Sequence, residues 1–108
     1  MVLVNNLEND YTERNQILAI GITPVLVSRQ PASGIRKNIT ITNTSAAAQK
    51  ITIKKGIGLA VAGEGIVLGS YGIYSDATIN ENARCYQGTF YAISDLAAGQ
   101  ISISEEFE

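Results

Sequence analysis

The chain reads as an all-β protein, a small antiparallel β-sandwich or jelly-roll-like domain of about eight short strands with an N-terminal arm. Three observations predict it. Hydrophobic residues recur with period two in stretches such as NITITN and KITIKK, the spacing that sends alternate side chains to opposite faces of a strand. Turn-forming residues interrupt these stretches every 8 to 12 residues or so, the rhythm of a sandwich or barrel. The composition is 45% hydrophobic but only 6% aromatic, with no Trp, so the core must come mainly from Ile, Val, Leu and Ala. Such a core suits thin packed sheets better than a wide ligand cavity, and 108 residues support one core of this kind.

Residues 1–15 mix Asn, Glu, Asp, Thr and Arg with the apolar Val2, Leu3, Val4, Leu7 and Tyr11. They are assigned to the arm, and residues 16–108 to a single sandwich domain. An arm of this kind is held either by its own domain or by a partner. QILAIGI (residues 16–22) and PVLVSR (residues 24–29) are the first apolar stretches. Pro24, which cannot donate a ladder hydrogen bond, belongs at an edge or a strand start. QPASG (residues 30–34) is a turn by composition.

RKNITITN and KITIKK then read as an antiparallel hairpin, with Ile39, Ile41, Ile51 and Ile53 inward and Thr40, Thr42, Thr52, Lys50 and Lys54 outward. Glycines break GIGLAVAGEGIVLGSYGIYS into short, sharply turned strands, of which GIVL and GIYS are the candidates. DATINENA (residues 76–83) reads as a polar loop. RCYQGTFYAIS and GQISISEE complete the set, with Phe90, Ala92, Ile101 and Ile103 in alternation. No segment carries a helical stripe, and no repeat or low-complexity linker is present.

The chemistry available is narrow. Histidine is absent, which removes the commonest general base and transition-metal ligand together. The carboxylates Glu8, Asp10, Glu13, Glu64, Asp76, Glu81, Asp95, Glu105, Glu106 and Glu108 are scattered over arm, turns and tail and read as solvated charges, without the facing pair a glycosidase needs. GLAVAGEG resembles a phosphate loop only in its glycines; it lacks the Lys-Ser/Thr and the following helix. The expectation is therefore a non-enzymatic protein with no catalytic residue, metal or cofactor.

The single Cys85 excludes an intrachain disulfide and reads as a free buried thiol. A net charge of -2 offers no field to draw in nucleic acid or an anionic membrane. No stretch approaches the roughly 18 apolar residues of a membrane helix, and the first residues do not look like a secretion signal. Tyr71, Tyr74, Tyr86 and Tyr91 either line a sugar- or protein-binding face or cover the rim of the core. Phe107, set between acids in SEEFE, is either an anchor for a neighbour's pocket or part of a frayed end.

From TPVLVSRQPASGIRKNITITNTSAAAQKITIKKG onward, through GIVLGSYGIY and GTFYAISD to ISISEE, the sequence resembles small β-sandwich virion structural proteins of tailed phages and related viruses. The resemblance spans about residues 22–105. It implies a capsid decoration, or cement, protein on the outer surface of the particle, bound to the major capsid protein, self-associating as a homotrimer and assembled in the host cytoplasm. The arm would then reach across the capsid, and the contacts would fall to Val2, Leu3, Val4, Leu7, Tyr11, Tyr74, Tyr86 and Phe107. The polar stretch DATINENARCYQ departs from that pattern. The competing expectation is a receptor- or carbohydrate-binding module of a fibre or tail, using the tyrosines and residues 76–83.

Overall fold

The computed structural model describes residues 13–29 and 35–108, and these form eight strands without a helix. The strands are β1 (Glu13–Ile20), β2 (Val25–Ser28), β3 (Arg36–Asn43), β4 (Ile51–Lys55), β5 (Ile66–Leu68), β6 (Ile73–Ala77), β7 (Phe90–Ser94) and β8 (Gly99–Phe107). They make two four-stranded antiparallel sheets, ordered β1-β8-β3-β6 and β2-β7-β4-β5. The first strand thus pairs with the last, the second with the seventh, the third with the sixth and the fourth with the fifth. This is the nesting of one long hairpin wrapped into a sandwich, the order of a jelly roll. β1 starts at Glu13, so residues 13–15, assigned from sequence to the arm, pair with β8. Val2, Leu3, Val4, Leu7 and Tyr11 lie outside the described residues.

The expected β3–β4 hairpin is not formed. β3 pairs with β8 and β6, whereas β4 pairs with β7 and β5 in the other sheet. The two isoleucine pairs therefore contribute to the same core from opposite sheets, and residues 44–50 carry the chain across. Period two identifies the inward face of a strand, and it identified Ile39, Ile41, Ile51 and Ile53 correctly, all fully buried. It carries no information about which sheet the strand joins. Ile20, Val27, Leu68, Phe90, Ala92, Ile101 and Ile103 complete the centre, each large aliphatic side chain contributing about 1.5–3 kcal/mol of burial. Thr52 faces outward as expected but is buried, because the β4–β5 connection folds over it and the Gly63 N–H donates to its Oγ1 at 2.9 Å.

Polar clamps close the sandwich at both ends. At one end Asn43, the last residue of β3, donates from Nδ2 to the carbonyls of Gln49, Leu68 and Gly69 at 2.9–3.0 Å, and its Oδ1 accepts from the Ser45 N–H at 3.0 Å. The crossing segment and the β5–β6 turn are thereby fastened to one buried side chain. Asn43 also heads a glycosylation-like triplet, but with its amide committed inside the fold it has no exposed nitrogen to modify.

At the other end Arg36 of β3 and Glu105 of β8, 0% and 1% exposed, form a buried ion pair, Nε to Oε2, at 3.0 Å. Arg36 places its remaining donors on the carbonyls of Tyr86 (2.8 Å), Gly88 (2.9 Å) and Arg29 (2.9 Å) and on Ser28 Oγ (2.8 Å). Glu105 also accepts from Ser28 Oγ and from Arg14 Nη1, both at 2.7 Å. Reading Glu105 as a solvated tail charge is therefore corrected: it occupies the inward position that follows Ile101 and Ile103 along β8.

Two bulges bring its partners in. β3 slips register against β8 between Arg36 and Asn38, which buries Arg36 and leaves Lys37 exposed. β2 slips against β7 between Leu26 and Ser28, so that Val27 and Ser28 are both buried. Each extra residue reverses the facing of the chain beyond it. Because removal of one member strands the other charge in the core, Glu105→Gln is expected to cost about 3 kcal/mol or more in urea unfolding. Arg14→Ala, which removes the partly exposed member, is expected to cost no more than about 1 kcal/mol.

Candidate functional site

Antiparallel wrapping sends alternate connections to opposite ends of the sandwich. Residues 21–24, 44–50, 69–72 and 95–98 make the short-turn end, while the longer connections 56–65 and 78–89 gather at the other. The start of β1 and the end of β8 also lie at that long-loop end. The structure therefore brings Tyr74, Tyr86 and Phe107 toward the end where residues 1–12 join the domain.

Tyr74 and Tyr86 converge on Phe90, with ring centroids 5.8 and 5.1 Å from it, the second contact edge-on. This is the geometry aromatic pairs favour at the margin of a core. Tyr86 folds back over Gly88, where a Cβ would lie 2.2 Å from its hydroxyl oxygen; only glycine leaves that space. Lys55 Nζ stands over both tyrosine rings, at 5.3 and 5.5 Å from their centroids. Asp76 Oδ2 accepts from the Tyr74 hydroxyl at 3.3 Å and the Tyr86 N–H at 3.2 Å. Asp76 and Ala77, expected in a loop, are the last residues of β6, and the polar turn follows them.

The cluster is a rim assembly. Its aromatic faces already carry Phe90 and an ammonium group, and so do not form the open platform that a sugar ring stacks on. Phe107 is half-buried and closes β8 opposite Arg36, so the tail is built into the sheet and not frayed. Beside Lys55 runs an open groove of about 340 Å³ lined by Ile53, Lys54, Lys55, Gly65 and Ile66. Its lining combines the apolar Ile53 and Ile66 with the cationic Lys54 and Lys55.

Cys85 is free and buried. Its Sγ donates to the Arg36 carbonyl at 3.3 Å, with Thr78 Oγ1 at 3.5 Å and Gln87 Nε2 at 3.6 Å. A thiol so enclosed, with hydroxyl, amide and carbonyl neighbours and no base among them, is a packing group. Among the described residues no three His, Cys, Asp or Glu side chains come together as a metal set. The glycines of GLAVAGEG serve turns: Gly58, Gly63 and Gly65 have φ of 126°, 86° and 139°.

What sequence reasoning passed over is the segment 56–65 as a surface. Ile57, Leu59 and Val61 point outward at 87%, 76% and 49% exposure, while Ala60 between them is buried. Large residues face water and the small one faces the protein, the reverse of a soluble strand. The signal was legible as the uncharged run GIGLAVAG, which drew attention only for its glycines.

No family model matches the chain, and no curated protein matches it. Among solved structures, one described as the crystal structure of PirA is similar at a TM-score of 0.41 and 13% identity, over 90% of this chain and 94% of that chain.

Two measurements test the site chemistry. Burial raises the Tyr74 pKa above its ordinary 10.0; the neighbouring Lys55 ammonium opposes the rise, and the Asp76 charge adds to it. The folded state thus holds this proton more tightly than the unfolded chain does. The resulting stability is complete below about pH 10 and is lost as pH climbs through the folded-state value. Urea midpoints measured across that window should fall less for Tyr74→Phe than for the parent chain. Cys85 should react with a thiol reagent in the native protein only at the rate of opening, and at once in denaturant.

Proposed function

We propose that the protein is a non-enzymatic virion structural protein, a capsid decoration protein that binds the outer surface of the assembled particle through the major capsid protein and stabilises it. The observation that carries this reading is an inversion of where polar and apolar groups are spent. Inside, Arg36, Glu105, Asn43, Gln49 and Ser28 are buried, and among the described residues every buried side-chain polar atom has a hydrogen-bond partner. Outside, ten large hydrophobic side chains among the described residues stand exposed. A frame whose polar groups serve its own rigidity and whose outward asset is apolar is suited to assembly against other proteins.

The resemblance seen along residues 22–105 supplies the assembly, the exterior of a capsid. Binding only to the finished lattice lowers its free energy relative to the dismantled state, and a self-associated homotrimer turns weak contacts into avidity. The sugar-binding alternative has less support, because the faces of Tyr74 and Tyr86 are already in use.

The test takes capsids produced without this protein and adds it back. Saturable co-sedimentation, a higher capsid rupture temperature and a trimeric mass by light scattering are the expected results. A protein that stays monomeric and leaves capsid rupture unchanged would remove the proposal.

A further inference from the structure

From the β4–β5 connection we infer that residues 56–63 are the plug by which the protein seats in an apolar pocket of a neighbouring protein in the lattice it decorates; this rests on the decoration reading and names its contact. The first argument is shape. The connection is held in place by the Gly56 N–H on the Thr89 carbonyl at 2.8 Å, the Glu64 N–H on the Val61 carbonyl at 3.0 Å and the Gly63 N–H on Thr52 Oγ1 at 2.9 Å. Lys54 Nζ reaches the Leu59 carbonyl at 3.4 Å from beneath. Ile57 and Leu59 are therefore presented by a braced loop, so docking them requires little further ordering.

The second argument is charge. Gly56 to Gly63 carries none, yet Lys55 flanks the entrance and Glu64 the exit, both exposed. A receiving pocket would be apolar at its base, with a carboxylate facing Lys55 and a cationic group facing Glu64. A rim that needs both signs of counter-charge is supplied by a protein surface, where carboxylates and cationic side chains lie side by side; vesicle binding is the control for a purely anionic partner.

The third is area. Ile57, Leu59, Val61 and the nearby β5 residue Val67 are all exposed and together present on the order of 400 Å² of apolar surface, the size of the largest patch on an ordinary monomer, which is often functional. That is about half of the roughly 800 Å² each side of a stable pairwise interface buries. The patch is too small to hold a dimer by itself and sufficient for one contact among many on a repeating lattice.

The experiment compares three full-length proteins on capsids produced without this protein: the parent, Ile57→Ser/Leu59→Ser, and the matched control Ile22→Ser/Ile73→Ser. The control removes two aliphatic residues, each 62% exposed, from the short-turn end. All four substituted positions lie on the surface, and thermal unfolding confirms that each protein is folded. The expected result is at least a tenfold loss of capsid affinity for the loop variant and parent-like binding for the control. Equal binding by all three would overturn the plug while leaving the decoration reading intact. Absence of parent binding would remove the decoration reading itself. Light scattering and sedimentation with phosphatidylglycerol vesicles complete the set: loop-dependent self-association or loop-dependent vesicle binding, in place of capsid binding, would assign the loop to another occupant and overturn the inference.

Discussion

Arg36 and Glu105 are the pair on which the arrangement of this sandwich turns. Two charges withdrawn from water are costly unless each finds a counter-charge and a full set of hydrogen bonds, and here both conditions are met. The guanidinium spends its donors on one carboxylate oxygen, one hydroxyl and three carbonyls, and its plane also lies against the Phe90 ring at 5.2 Å. Those acceptors belong to β2, to the residue after it and to the connection leading into β7, whereas the two charges belong to β3 and β8. A single polar cluster therefore ties one sheet to the other and fastens the long connection 78–89 to both. Its role is specification: an apolar pair could fill the space, but it would not dictate which segments meet there.

The Asn43 clamp does the corresponding work at the other end with neutral groups. Between the two ends the core is aliphatic and forgiving, built of isoleucines whose packing constrains distance more than identity. Register and connection are settled at the ends, where hydrogen bonds have direction. The bulges belong to this scheme. Without the extra residue in β3 and in β2, Arg36 and Ser28 would face water, and Glu105 would be left in the core without its partners.

The surface follows from the same economy of polar groups. The outer face of the β1-β8-β3-β6 sheet is lined by Asn15, Ser104, Thr40 and Ser75 in one row, small polar side chains that need no partner. Exposed aliphatic residues are concentrated instead on the connections, and most densely on 56–65. That loop is braced from within, and its small residue Ala60 is turned inward, so the exposure is part of the built structure. The next row of that face, Ile17, Ser102, Thr42 and Ile73, carries an exposed isoleucine on each edge strand, so the centre of the face is polar while apolar side chains stand at its edges and on the loop.

The amino-acid sequence by itself determined the class of the fold. Strict alternation in NITITN, KITIK and ISISE identifies strands and their inward faces, because a pleated chain can bury only every second residue, and glycine runs mark the turns. It also contained the buried carboxylate, since Glu105 continues the inward register of Ile101 and Ile103, although a charge at a chain end invites the reading of a solvated tail. Tertiary structure alone decided that the two isoleucine strands lie in opposite sheets, because strand pairing depends on contacts distant in sequence. It alone decided that Arg36 and not Lys37 turns inward, because a bulge breaks the period from which facing is read. The same holds for the apolar loop: in sequence GIGLAVAG is only a run of small and aliphatic residues, and the folded chain around it determines which of them meet water.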